Sequence, residues 1–388
     1  MVADDRANTP SNHGLLGLAL SGGGSRAIAF HLGCLCALHD LGVLDQVRVL
    51  SSISGGSVIG GYYAYTPEKP FAEFEADIRR FLQTGLESDI ALELLKPHHL
   101  LPCVGSFFLA QGQELLRAVS HGRWQPAIPR YRSRTDMFQR VLENKVFPGI
   151  RMDSPRRSNL EVVIGACELR LGEAFRFGTQ RSGGWRHGAM VDGNVPVSFA
   201  VAASAAYPIF LPAFDRTWDF IKDGTPTRHR VLLTDGGIYD NLGVQALEPG
   251  RDPRYSLHNF PCDRLIVCNA GHGQEYGRNI PMGFVSRVEG SFGIVHRRVQ
   301  EATMNRLHAM KEHGQIRGFA MPYLGQMDDK LPMTIPNLIS RDQVVGYPTN
   351  FAAMKADNIA KLAGRGEQLT RALVRHYLPE LLEASRRP

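Results

Sequence analysis

Two short stretches of this sequence hold residue types that can carry out acyl transfer. Ser52-Ile53-Ser54-Gly55-Gly56 lies between an apolar run at 47–50, which reads as a strand, and a helical run at 58–65. It is an S-x-S-x-G variant of the strand–turn–helix elbow that pushes a serine hydroxyl out of a sheet. Small residues on both sides of Ser54 permit that turn, although Ser52 stands where the usual pattern has glycine. The plain alternative is a Ser/Gly turn capping the next helix, and on these five residues alone the two readings are even. The other stretch, Ser21-Gly22-Gly23-Gly24-Ser25-Arg26-Ala27, follows the apolar run 14–20 and opens a helical pattern over 27–41. Three glycines there let backbone N–H groups face an anion, with a helix N-terminus behind them. That anion is a phosphate or an oxyanion. The loop fits G-x-G-x-x-A, but the second strand ends in Ser51-Ser52 and lacks the acid that a dinucleotide ribose needs. No G-K-[ST] follows, so a Walker loop is excluded.

Strand, glycine turn, helix, strand, turn and helix within the first 65 residues form a βαβα unit. A parallel doubly wound sheet is therefore predicted, with both turns at the same edge. Anion donors beside a nucleophile are what ester cleavage requires, and the joint occurrence favours a hydrolase. A base is also needed. Asp235 follows the apolar run 231–234 and precedes Gly236-Gly237, so it can reach the same edge; Asp192-Gly193 and Asp223-Gly224 read as ordinary turns. With 14 histidines a Ser-His-Asp triad stays open, and His272, after the strand pattern 264–269, is the best-placed candidate.

The 388 residues are 43% hydrophobic and 21% charged, which excludes a disordered chain. Lys and Arg number 44 against 38 Asp and Glu; eight are Lys, so 44 − 8 = 36 are Arg. The net charge of +6 is spread along the chain, which argues against nucleic-acid binding. Six cysteines lie mostly in apolar runs without C-x-x-C spacing, and they read as buried thiols of a reducing compartment rather than a zinc site. Residues 1–13 read as a polar tail without a secretory apolar core, and the mainly apolar stretch 198–214 is broken by Pro208 and Pro212. A cytoplasmic or peripheral membrane protein is expected, with export by a non-classical route left open. The region 66–157 reads as a helical insertion, with a basic run at Arg130, Arg132 and Arg134 that suits either an anionic membrane surface or a solvated lid. The chain turns helical again from about 281 to 388, and the apolar stripe of the last helix suits packing on its own core.

The segments SGGGSRA, SISGGS, AVAASAAYPIFLPAF (200–214) and TDGGIYDNLG (234–243) together resemble the patatin-like phospholipase family, in order and spacing across 14–243. The tail of the last block, with RLIVCNAG after it, looks like the larger bacterial members. Ser21 and Ala27 stand where the family more often has Asp and Gly, a variant similar to cytosolic phospholipase A2, a relative of the same fold. The resemblance implies an α/β fold, a three-layer sandwich with a mainly parallel central sheet spanning 14–280. It also implies a Ser–Asp dyad of Ser54 as nucleophile and Asp235 as base, without histidine. The N–H groups of Gly23 and Gly24, with Gly22 or Gly55, would form the oxyanion hole, and Arg26 would stabilise a phosphate or the oxyanion. The block around Ser204, Tyr207 and Pro208 would support the site. The substrate implied is a (phospho)lipid ester, with no cofactor and no calcium. The departures at Ser21, Ala27 and Ser52 leave a degenerate lipid-binding module as the competing reading.

Overall fold

The computed structural model describes residues 14–208, 210–273 and 282–384. The predicted tail at 1–13 and the boundary near 280 lie outside the described residues. The chain opens with β1 (Leu16–Leu20), α1 (Gly24–Asp40), β2 (Val47–Ile53) and α2 (Gly55–Tyr65). All five residues of β1 are buried, as befits a strand covered on both faces. Fourteen of the seventeen residues of α1 are buried too, so this helix has a neighbour on every side.

The insertion follows as α3 (Phe71–Thr84), α4 (Glu87–Leu95), α5 (Pro97–Val119) and α6 (Arg134–Lys145). The helical pattern read over 71–94 is broken at Gly85, whose φ of 68° ends α3. Phe74, Ile78 and Leu82 of α3 and Phe138, Val141 and Leu142 of α6 enter the main core.

Then come β3 (Glu161–Glu168), β4 (Glu173–Gly178), β5 (Ser182–Gly184), β6 (Gly188–Met190), α7 (Val197–Ser204), β7 (Phe214–Lys222) and β8 (Thr225–Asp235). The chain ends through α8 (Gly237–Asp240), β9 (Arg264–Cys268), α9 (Phe284–Glu312), β10 (Gly318–Ala320), α10 (Ala356–Tyr377) and α11 (Glu380–Ala384).

One ten-stranded sheet runs β10-β9-β1-β2-β3-β4-β5-β6-β7-β8, with a further pairing of β3 and β8. The expectation of a mainly parallel sheet is corrected. The β10-β9-β1-β2-β3 half is parallel, but every pairing from β3 onward is antiparallel. The reason is loop length: Asp223 (φ 50°) and Gly224 (φ 75°) alone join β7 to β8, and a two-residue turn can only return the chain antiparallel. Both faces of the parallel half are covered. Leu18, Leu20 and Leu50 point into the core built with α1, α2, α7 and α10, whereas Ala19, Val49, Leu265 and Val267 join a second core with Leu242, Leu247 and Leu307.

Residues of the C-terminal extension pack in the main core. The apolar stripe of α10 packs inward, with Leu369 and Val374 fully buried. Its close approach to α1 rests on Gly33, where an added Cβ would come 1.7 Å from the Ala363 carbonyl oxygen. No larger residue can stand there without separating the two helices.

Candidate active site

Sheet register brings Ser54 to Asp235. β2 pairs with β3 up to Ile53 opposite Gly165, and β8, arriving from the other direction, pairs with β3 from Asp235 opposite the next residue, Ala166. The two strands therefore meet end to end along β3. Ser54, directly after Ile53, donates its Oγ–H to Asp235 Oδ2 at 2.8 Å. Ser54 adopts φ 51° and ψ −120°, a conformation that costs a non-glycine residue on the order of 1–3 kcal/mol and that the surroundings must hold in place.

The C-terminal end of α7 supplies much of that hold. Ser204 Oγ accepts from the Ser54 N–H at 2.8 Å. The Ser204 carbonyl accepts from Gly236 N–H, and the Ala206 carbonyl accepts from both Asp235 N–H and Thr234 Oγ–H. One turn of chain thus fixes both members of the pair. Ser204 is fully buried, and its backbone and side chain are both spent on this clamp. At position 52 the departure from glycine is accommodated by Gly60, whose Cα leaves the Ser52 side chain its space. The Ser52 hydroxyl finds no partner among the described residues.

Ser54 is 7% exposed and Asp235 5% exposed. Burial pushes the Asp235 carboxyl up to about 6, opposed by hydrogen bonds from the Gly237 N–H (2.7 Å to Oδ1) and the Ser54 hydroxyl. Asp235 is thus ionised at neutral pH while being a stronger base than an ordinary aspartate.

The glycine loop lies against the same turn, with Gly23 at φ 141° and Gly24 at φ 58°. Contact is so close that a Cβ on Gly55 would stand 2.3 Å from the Gly24 carbonyl oxygen. Gly55→Ala is therefore expected to lower stability by about 1–3 kcal/mol, read as a loss of unfolding free energy in denaturant, because only backbone could yield. Of the four predicted oxyanion donors, the structure changes the status of Gly22: its N–H already donates to the Asn241 carbonyl at 3.1 Å. The N–H groups of Gly23, Gly24 and Gly55 donate to no group among the described residues.

Arg26 lies beside the glycine loop, with a terminal nitrogen 3.1 Å from where a Cβ on Gly23 would stand. It is 4% exposed, and it donates from Nε to the Ala270 carbonyl (3.0 Å) and from one terminal nitrogen to the Tyr347 carbonyl (3.1 Å) and Thr349 Oγ1 (2.7 Å). His272 meets that same guanidinium, and its Nδ1 meets the Val345 carbonyl. Burial, reinforced by Arg26, lowers the His272 imidazole to about 4. Neither Ser54 nor Asp235 bonds to it, so the geometry of the triad alternative is not formed.

Three contributors escaped the reading of the sequence. Asn241 holds Gly22 and reaches with its side chain to the space beside Gly22 and Gly237. The Asn350 carbonyl accepts from Ser25 N–H at 2.7 Å, so a loop of the C-terminal extension closes the back of the glycine loop. His296 of α9 sits against the Gly237 backbone, its imidazole lowered by burial, and the neighbouring Phe292 ring lies 5.8 Å from that of Tyr207. Asn241 lies inside the 234–243 block, but no local pattern signals its bond to Gly22, and Asn350 and His296 act from segments far away in the sequence. Among the described residues, the group able to hold a metal ion is His31, Cys34 and Cys268, whose ligand atoms lie within 4.8 Å of one another, all buried. His31 Nε2 is already 2.9 Å from the Ser21 carbonyl oxygen. The six cysteines are free thiols, and Cys36 alone is not fully buried.

Human GIVD cytosolic phospholipase A2 superposes on 98% of this chain with a TM-score of 0.54 at 14% identity. The match spans 61% of that protein, and at this identity it is a likeness of fold. VipD from Legionella pneumophila matches over 96% of this chain and 67% of its own, at 14% identity and a TM-score of 0.34. No curated protein sequence matches the chain. The patatin-like phospholipase profile matches residues 18–247, from β1 through the glycine loop, the Ser54 turn and α7 to the residues just beyond Asp235. With more than half of its length inside that match, this chain belongs to the patatin-like phospholipase family.

Proposed function

We propose that the protein is a serine hydrolase of lipid carboxylic esters, with Ser54 as nucleophile and Asp235 as its base. One observation carries this reading: the 2.8 Å hydrogen bond from Ser54 Oγ to Asp235 Oδ2 at a strained turn beside unengaged backbone donors. Ser54 passes its proton to Asp235 as Oγ attacks the ester carbonyl carbon, and the electron pair of the C=O bond moves onto oxygen. That oxyanion lies against the N–H groups of Gly23, Gly24 and Gly55, where donors fixed in advance favour the charge of the transition state. Collapse expels the alcohol, which takes the proton from Asp235 and leaves Ser54 acylated. Water then attacks the acyl carbon while Asp235 accepts its proton; collapse breaks the bond to Ser54 Oγ, which takes that proton back, and the acid is released.

Every proton and charge in this sequence has a partner from the chain, so no step is given to calcium or another metal. Gly22 and Arg26 act at one remove in this reading. Gly22 anchors the loop on Asn241, and Arg26 ties it to 270 and to 347–349.

The test is labelling of the purified protein with a fluorophosphonate, which phosphonylates only an activated serine. Wild type is expected to label at Ser54. Ser54→Ala and Asp235→Asn are expected not to label, and His272→Ala to keep the label. Label that survives Ser54→Ala would overturn the reading, and label lost in a folded His272→Ala protein would restore the triad.

A further inference from the structure

The helix α5 is inside out. Its buried positions are His99, Cys103, Ser106 and Gln113, so the side facing the protein is largely polar. Its exposed positions include Leu101 (72%), Val104 (43%), Phe108 (67%), Leu115 (66%), Leu116 (56%) and Val119 (70%). At about 100° per residue these six fall within an arc of roughly 120°, and Phe107 widens it to about 180°. No charged residue lies inside that arc; Glu114 and Arg117 sit outside it. A water-facing helix shows the opposite arrangement, and single exposed apolar residues do not form one continuous face.

Of the other α-helices of the insertion, α4 also buries only a polar residue, Glu93, and exposes Leu92 and Leu95, whereas α3 and α6 do not share this. α3 and α6 bury their apolar faces in the main core, and α5 is held to the domain chiefly through polar bonds: Gln113 to both the carbonyl and the N–H of Ile128, and Ser106 Oγ to Arg132 N–H. The apolar face is thus left outward by the way the helix is anchored. An arc this wide exceeds the narrow seam with which two helices pair.

The surroundings match one kind of surface. From Lys96 to Arg134 the chain carries six basic residues (Lys96, Arg117, Arg123, Arg130, Arg132 and Arg134) and one acid, Glu114, a balance of 6 − 1 = +5. Trp124 and Tyr131 are exposed just beyond the C-terminal end of α5, residue types that favour the boundary between water and lipid. The same segment leads to the site. Arg132 bonds α5, Thr135 Oγ1 donates to the Pro212 carbonyl, and Pro212 stands six positions after Ala206, which holds Asp235 N–H.

We propose that α5 is an in-plane docking helix that enters the headgroup region of an anionic lipid bilayer with its Leu101–Phe108–Leu115–Val119 face. No helix among the described residues is long and apolar enough to cross a membrane, and this mode requires none. The docking stands on its own observations, while its purpose, delivery of lipid to Ser54, rests on the function proposed above.

The experiment compares the full chain with a Leu101→Ser/Phe108→Ser/Leu115→Ser triple variant, whose changes are all on exposed positions. Each is measured for co-sedimentation with vesicles of phosphatidylcholine with and without phosphatidylglycerol, for Ser54-dependent hydrolysis of a soluble short-chain ester, and for mass by light scattering. Expected is binding to the anionic vesicles that the triple variant loses by at least about 100-fold, with soluble-ester hydrolysis unchanged. High salt weakens wild-type binding without abolishing it, because the apolar part is not screened. Equal vesicle binding by wild type and variant, or none by wild type, overturns the docking helix. A wild-type dimer that the substitutions turn into a non-binding monomer overturns it in favour of a second copy of this chain. Vesicle binding lost in the variant while wild type hydrolyses no ester would leave the docking standing and remove the proposed function.

Discussion

Ser54→Ala is expected to reduce hydrolysis of lipid esters by at least about 1,000-fold while leaving the fold intact. The substitution removes the attacking oxygen and the hydrogen bond to Asp235, and no other hydroxyl is within reach of that carboxylate among the described residues. The backbone is not expected to relax, because the Ser54 N–H stays bonded to Ser204 Oγ and the turn is set by Gly55 against Gly24. The measurement is steady-state hydrolysis of a chromogenic ester and of a phospholipid, beside circular dichroism of both proteins. Undiminished hydrolysis by a folded Ser54→Ala protein would remove the serine mechanism altogether.

Asp235→Asn is expected to lower activity by a comparable factor and, at the same time, to stabilise the protein. The catalytic half follows from the role of base: an amide cannot take the Ser54 proton. The pH profile of the wild type carries the same information. Activity should fall as pH drops through about 6, where Asp235 becomes protonated, whereas an ordinary aspartate would hold activity to a much lower pH.

The stability half follows from the direction of the shift. Burial raises Asp235 from 3.8 to about 6, so between those values the native protein holds a proton that the unfolded chain has released. Stability from this group is therefore greatest at low pH and declines as pH rises through that window; above it, the buried carboxylate remains a cost of up to about 3 kcal/mol. Asparagine carries no such charge. Chemical denaturation at pH 8 should then show Asp235→Asn more stable than wild type by about 1–3 kcal/mol, with the difference shrinking toward pH 4. A variant that is less stable at pH 8 would show that the hydrogen bonds of the carboxylate outweigh its desolvation.

Local pattern made much of the molecule legible. β1, α1, β2 and α2 appear where short apolar runs alternate with glycine turns, because buried strands and helix starts are decided by neighbours a few residues away. Ser54 and Asp235 could be singled out for the same reason, each standing in a small-residue turn at the end of an apolar strand. The helical nature of the insertion and of the C-terminal region was legible as well. The orientation of α5 was not: the pattern of its apolar residues does not say which face turns inward, and the polar anchors at Ser106 and Gln113 leave the apolar face outward.

The sequence by itself determined the candidate chemistry, a serine and a carboxylate with a glycine-rich set of backbone donors, and the parallel half of the sheet that carries two of these three. Only the tertiary structure decided how they meet. Asp235 arrives on an antiparallel strand that abuts the end of β2 on β3, one register position beyond Gly165. The structure likewise decided the partners of Gly22, Arg26 and His272: the Gly22 N–H donates to Asn241, Arg26 Nε and one terminal nitrogen to Ala270, Tyr347 and Thr349, and His272 Nδ1 meets Val345. The physical reason is range. Chain propensity and alternation are set within a few residues, whereas strand register and the partner of each buried polar group are set by contacts between segments scores to hundreds of residues apart, which no local pattern encodes.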